Sequence, residues 1–202
     1  MKTSNGHIPR ELHAVIQFYA GMQMQMEPTV YSHQQRVSAL AREIGRKLGL
    51  SSTECELLRI SGLLHDVGKN FLPAGFLHKP GALTRQEREV MKAHPRTGYD
   101  FLRGFAPKLP DTVLIGVLEH HERVDGSGYP SGKDTLSLFG GILGVADYFE
   151  ARQEPRPYRS SSLTRREAIN ATVKEPFHPD VLVAFCKIVG NGNGKGCHGI
   201  HK

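Results

Sequence analysis

A chain of 202 residues with 39% apolar and 23% charged residues can bury one core and is too balanced in composition for wholesale disorder. No stretch approaches the roughly 18 uninterrupted apolar residues of a membrane-spanning helix, and the N-terminus lacks the apolar segment of a secretory signal, so a cytoplasmic chain with no membrane span is expected. The net charge of +6 is dispersed: Lys187, Lys195 and Lys202 sit at the end, Lys2 and Arg10 are balanced by Glu11 and Glu27, and no Lys/Arg block marks a DNA-binding face.

In chain order, residues 1–28 read as a short helical extension, in which Met22, Met24 and Met26 are packing or end-fraying residues. From Thr29 to Gly49, Val30, His33, Val37, Leu40, Ile44 and Leu48 recur at helical spacing, with Gly49 as a stop. Three capping-box patterns follow, Ser51 with Glu54, Thr84 with Glu87 and Thr164 with Glu167, each ahead of an apolar-periodic run. Helices are expected from about Asp111 to Glu122 and from Ser137 to Glu150, the second despite Gly140, Gly141 and Gly144. Arg123–Thr135 and Gln153–Ser162 read as irregular, and Gly190–Lys202 as a disordered Gly/Asn-rich tail. No alternating strand or hairpin signal appears, so the expected fold is all-α, with one domain over 29–189. Cys55, Cys186 and Cys197 are few, odd in number and widely spaced, and read as free thiols of a reducing compartment.

The chemistry lies in the spacing of histidines and aspartates. His33, the pair His65-Asp66, His94, the pair His120-His121, and Asp147 are separated by steps of 32, 29, 26 and 27 residues. Each step is about one helix and its connection, so each group falls on a new helix, as in bundles that project ligands inward. Burying these imidazoles and carboxylates unpartnered costs several kcal/mol, whereas metal ions satisfy them together. Five nitrogens with two carboxylates suit Fe, Mn, Ni or Zn and poorly suit Mg or Ca.

These residues carry a family resemblance. Leu64-His65-Asp66-Val67-Gly68-Lys69 resembles the HD signature of metal-dependent phosphohydrolases, and His120 to Pro130 resembles the HHExxDGxGYP signature of the HD-GYP group at every defined position. His94-Pro95 with Gly98, Val145-Ala146-Asp147, and Arg156-Pro157-Tyr158-Arg159 match further family elements in order. The resemblance implies an HD-type helical bundle and a phosphodiesterase acting on a cyclic dinucleotide such as cyclic di-GMP, making pGpG or GMP. It implies a first metal on His33, His65, Asp66 and Asp147, and a second on His94, His120 and His121 with Asp66 bridging. Iron or manganese is the family's usual choice. A hydroxide held between two such ions attacks phosphorus while they neutralise phosphoryl charge.

Lys69 then contacts the scissile phosphate or the nucleophile, on the face of Asp66 if the helix continues. Tyr129 presents a ring and hydroxyl to a nucleotide, and Arg156 and Arg159 are anion clamps. Asp125-Gly126-Ser127-Gly128 forms a tight turn walling the site. Some HD-GYP proteins hold a third metal through a glutamate one turn before the first histidine. Here that position is Thr29, with Glu27 off the helix behind Pro28, so two metals are expected. Gly141 stands where an arginine is common, and Phe149–Gln153 replaces the usual Asp-Ala-Leu-Thr-like run; neither removes a ligand. No sensory domain is expected within residues 1–28, so regulation falls to a partner, with diguanylate cyclases or other signalling proteins as candidates. Alternatives are an HD hydrolase of another cyclic dinucleotide or nucleotide, and a non-catalytic adaptor.

Overall fold

A computed structural model describes residues 10–77, 79–106, 108–154 and 162–190. Among these, the chain is helical, with no strand. The helices are α1 (Arg10–Met26), α2 (Pro28–Lys47), α3 (Ser52–Leu64), α4 (Ala74–Leu77), α5 (Arg85–Met91), α6 (His94–Phe105), α7 (Asp111–Glu119), α8 (Leu138–Gln153), α9 (Arg165–Thr172) and α10 (Pro179–Val189). A 3-10 turn, Val67–Phe71, follows α3.

The starts of these helices follow from local chemistry. All three capping boxes form: Ser51, Thr84 and Thr164 each accept from the backbone N–H of the glutamate three residues on, whose carboxylate binds the cap's own N–H. Pro28 and Pro95 sit at the first positions of α2 and α6, where the missing N–H costs nothing. Helix α8 begins at Ser137, whose hydroxyl accepts from Gly140 N, and runs three residues past the expected Glu150. Its glycines are tolerated because the helix is buried along Phe139–Asp147, where packing outweighs propensity.

Two apolar clusters share α3. On one side Val37, Ala41 and Ile44 of α2 and Leu58 of α3 pack with Ile142, Val145 and Phe149 of α8 and Phe185 of α10. On the other, Ile60, Leu63 and Leu64 of α3 pack with Leu12, Ile16 and Tyr19 of α1, Leu102 of α6 and Val113 and Val117 of α7. Truncating a fully buried residue such as Leu58 to Ala costs about 2–5 kcal/mol. Residues 10–26 thus contribute core side chains to this bundle, while Phe18, Met22, Met24 and Met26 are exposed. Gln23 and Asn70 exchange two amide hydrogen bonds, at 3.1 and 3.3 Å, tying α1 to the 3-10 turn.

Three expectations need correction. Helix α7 ends at Glu119 rather than Glu122, with His120 as its C-cap, because a backbone bond from Glu122 N to Glu119 O turns the chain there. The α-helix carrying His65 also stops, at Leu64, and Asp66 caps a 3-10 turn; Lys69 still falls on the Asp66 face, since residues three apart eclipse in that geometry. Cys55 is free and buried, but Cys186 is disulfide-bonded, so the cysteines carry no argument for a reducing compartment. Sequence spacing does not reveal which thiols approach each other. The tail from 191 onward, with Cys197, lies outside the described residues.

Candidate metal centre

Five helices deliver their side chains to one buried point. His33 comes from the second turn of α2, His65 and Asp66 from the end of α3, His94 from the start of α6, His120 and His121 from the end of α7, and Asp147 from α8. His33, His65, Asp66, His94, His120 and Asp147 are buried and His121 nearly so. One set, His33, His65 and Asp66, places a ligand atom from each residue within 4.8 Å of the others; His94, His120 and His121 form a second such set. The rings run in a chain, with centroids 5.4 Å apart for His33 and His65, 5.1 Å for His65 and His120, and 5.0 Å for His94 and His121.

The carboxylates join the two sets. Asp66 Oδ1 lies 3.2 Å from His94 Nε2, and Asp66 Oδ2 lies 3.2 Å from His65 Nε2 and 2.6 Å from Lys69 Nζ. Asp147 Oδ1 is 3.0 Å from His33 Nε2 and 3.8 Å from His65 Nε2, with Oδ2 3.9 Å from His121 Nδ1. Asp147 therefore faces both histidine sets, where the sequence tied it to one.

Ring orientation is fixed from behind. Nδ1 of His65, His94 and His120 donates to the carbonyls of Gly62, Met91 and Val117, each at 2.7 Å. A carbonyl only accepts, so each ring keeps a proton on Nδ1 and turns Nε2 inward, the usual arrangement of metal-ligating imidazoles. His65 Nε2 and Asp66 Oδ1 are nonetheless buried with no hydrogen bond. Such orphans are costly. A divalent metal ion fits this donor set and would satisfy both atoms.

Electrostatics divides the histidines. Burial opposes charge on His65, but Asp66 and Asp147 outweigh it and push its pKa up to about 10. His33 is also raised, Asp147 and Glu154 outweighing burial. His120 is brought down to about 3 by burial and by His65 and His94, and His121 falls well below its ordinary value for like reasons. Asp66 and Asp147 lie well below the carboxylate range, their histidine neighbours (and Lys69 for Asp66) overcoming burial.

The loop after His121 closes one wall. Gly126 has φ +75°, and a Cβ at Gly128 would stand 2.4 Å from Glu122 Cα and 2.5 Å from His121 O, so only glycine allows that approach. Tyr129 stacks on His121 at 4.5 Å between centroids, with Lys92 Nζ 5.9 Å from its ring centre. Two buried glutamates outside the expected set hold this loop. Glu122 accepts from Ser131 N at 2.6 Å and Gly132 N at 3.1 Å; Glu119 accepts from Ser137 N at 2.8 Å and pairs with Lys133. A third glutamate, the half-buried Glu154, lies 2.8 Å from His33 Nδ1. Glutamate is normally solvated, so only the E of the HHE motif hinted at any of them. Arg156 and Arg159 lie outside the described residues.

The sequence matches the HD domain family over residues 22–178. It is 41% identical over 129 residues to the cyclic di-GMP phosphodiesterase response regulator RpfG of Xanthomonas campestris, covering 63% of this chain and 34% of that protein. It is 32% identical over 155 residues to 3'3'-cGAMP-specific phosphodiesterase 2 of Vibrio cholerae, covering 75% and 30%. The chain thus spans about a third of the length of these relatives. Bd1817, an HDG"Y"P protein from Bdellovibrio bacteriovorus, shares the fold, with a TM-score of 0.64 at 19% identity, covering 79% of this chain and 52% of that one. With the HD pair and the whole His120–Pro130 signature meeting at one buried cluster, the chain belongs to the HD domain family and to its HD-GYP group.

Proposed function

We propose that this chain is a phosphodiesterase unit that hydrolyses cyclic di-GMP to pGpG, to GMP, or to both, using two divalent ions, iron or manganese ahead of nickel or zinc. The observation that carries the reading is the seven-residue cluster, with its inward-facing Nε2 atoms and with His65 Nε2 and Asp66 Oδ1 buried without a hydrogen bond. We assign His33, His65, Asp66 and Asp147 to one ion, and His94, His120 and His121 to the other, with Asp66 shared. Ions bound there supply a more acidic water and neutralise charge on phosphoryl oxygens.

The chain's own groups do the rest. Lys69 holds Asp66 Oδ2 while about a quarter of its side chain reaches solvent, so its ammonium can meet a phosphate entering beside Asp66. Burial and the charges of Asp147 and Asp66 raise the Tyr129 phenol, which therefore stays protonated and donates to an anionic substrate. Arg156 and Arg159 remain proposed anion clamps. The activity for which RpfG is named supports cyclic di-GMP as substrate, and the Vibrio cholerae relative supports a second reading, 3'3'-cGAMP. Diguanylate cyclases or other signalling proteins are the proposed protein partners. A non-catalytic adaptor has no need of so complete a buried ligand set.

The test is product analysis with anaerobically purified, iron- or manganese-loaded protein given cyclic di-GMP, 3'3'-cGAMP, pGpG and dGTP separately. Cleavage of cyclic di-GMP at the highest kcat/KM supports the proposal. Preference for cGAMP moves it to the second reading, and turnover of dGTP alone overturns both.

A further inference from the structure

His33 differs from the three histidines that donate Nδ1 to carbonyls three residues back. Its Nδ1 meets Glu154 Oε1 at 2.8 Å, while its Nε2 faces Asp147 Oδ1 at 3.0 Å. Asp147 lies on α8 and Glu154 is that helix's C-cap. Seven residues is about two turns, so one helix face brackets the imidazole with a carboxylate at each nitrogen. Glu154 is itself gripped by Arg36, one turn beyond His33 on α2, which also binds Glu150 Oε2 at 3.2 Å.

We infer that Glu154 is a positioning residue for His33: it fixes the proton on Nδ1, aims the Nε2 lone pair into the cluster and makes it a stronger metal donor than a carbonyl acceptor would. Outer carboxylates behind ligating histidines act in this way, orienting the ring and raising its basicity. Charge-assisted bonds are about twice as strong as neutral ones, so His33 is the most firmly aimed of the four anchored rings. Arg36 holds Glu154 in place. The inference goes beyond the proposed reaction and rests on its metal reading. No motif points to Glu154; it directly follows the Phe149–Gln153 run that departs from the family pattern.

The experiment is anaerobic Mn2+ titration of the whole chain, read as free-ion spin resonance, for the unaltered protein, Glu154→Ala and Glu154→Gln. Glu154→Ala should weaken one of two binding equivalents by roughly 10–100-fold and leave the other unchanged. Glu154→Gln, whose neutral amide oxygen still accepts from Nδ1 and keeps the ring aimed, should recover part of that affinity and fall between the unaltered protein and Glu154→Ala. Two normal equivalents in Glu154→Ala, with only a lowered melting temperature, would overturn the inference, since a purely structural link between α8 and α2 does not move affinity. Equal losses in Ala and Gln would overturn it by making the carboxylate a direct ligand. An unaltered protein that binds no Mn2+ overturns the metal reading and this inference together.

Discussion

Gly68 stands where the HD segment passes closest to α6, and replacing it tests how the second histidine set is placed. A Cβ there would lie 1.9 Å from His94 O and 2.7 Å from Gly98 N. Both are backbone atoms, so no rotamer change relieves the overlap. Carbon–oxygen approach is normally about 3.3–3.6 Å, so the start of α6 must retreat by about 1.5 Å. His94 Nε2 is 3.2 Å from Asp66 Oδ1, and metal–nitrogen bonds of about 2.0–2.1 Å tolerate only a few tenths of an ångström of error. Gly68→Ala should therefore cost about 1–3 kcal/mol from overpacking. It should also lower turnover by about 100-fold or more through misplacement of His94. Gly98→Ala is the internal control: its Cβ meets Gly68 N and Val67 Cγ1 at 3.1 Å, an overlap that a small adjustment absorbs. Metal content, cyclic di-GMP turnover and thermal melting should be measured on both variants. If Gly68→Ala keeps both turnover and two metal equivalents, His94 does not depend on this contact and the reasoning fails.

Further outcomes follow from the same geometry. His94→Ala and His121→Ala should each remove most turnover while leaving helical circular dichroism nearly intact; near-normal rates in both would exclude a second metal. In metal-free protein, His65, raised to about 10 from an ordinary 6.5, binds more protons folded than unfolded, so its contribution is full below 6.5 and is lost as pH rises towards 10. His120, lowered to about 3, works oppositely and erodes stability as pH falls from 6.5 towards 3, as does acid titration of Asp66 and Asp147. Metal-free melting temperature should thus peak near pH 6.5, and a profile flat from pH 4 to 9 would contradict these shifts. Arg156→Ala should raise KM for cyclic di-GMP, and lower kcat as well if the grip tightens in the transition state; steady-state kinetics unchanged in both parameters would remove Arg156 from the substrate contacts.

Elements with strong periodicity or reciprocal caps were legible from residues alone. The stripe of α2 and the boxes at Ser51, Thr84 and Thr164 are local chemistry, and local chemistry survives folding. The convergence of these histidines and aspartates was legible because they recur at one-helix intervals and because their motifs resemble a family. Helix α6 was expected only as the helix that carries His94, without bounds; its start, with Pro95 in the first turn, came from the structure. Glu119, Glu122 and Glu154 escaped because a glutamate gives no sign of burial until a loop or helix end folds onto it. The division of Asp147 between both histidine sets depends on how α7 and α8 pack, which spacing along the chain does not encode.

The most direct measurement is the rate of cyclic di-GMP hydrolysis as metal-free protein is titrated anaerobically with Fe2+ or Mn2+. Thr29 offers a neutral hydroxyl one turn before His33, and Glu27 is the N-cap of α2, off its regular turns, so two equivalents complete the expected site. Turnover should stay low up to one equivalent, rise steeply between one and two, and level off beyond two. Full activity at one equivalent, activity without metal, or a rate that climbs until a third ion is bound would contradict a two-metal phosphodiesterase.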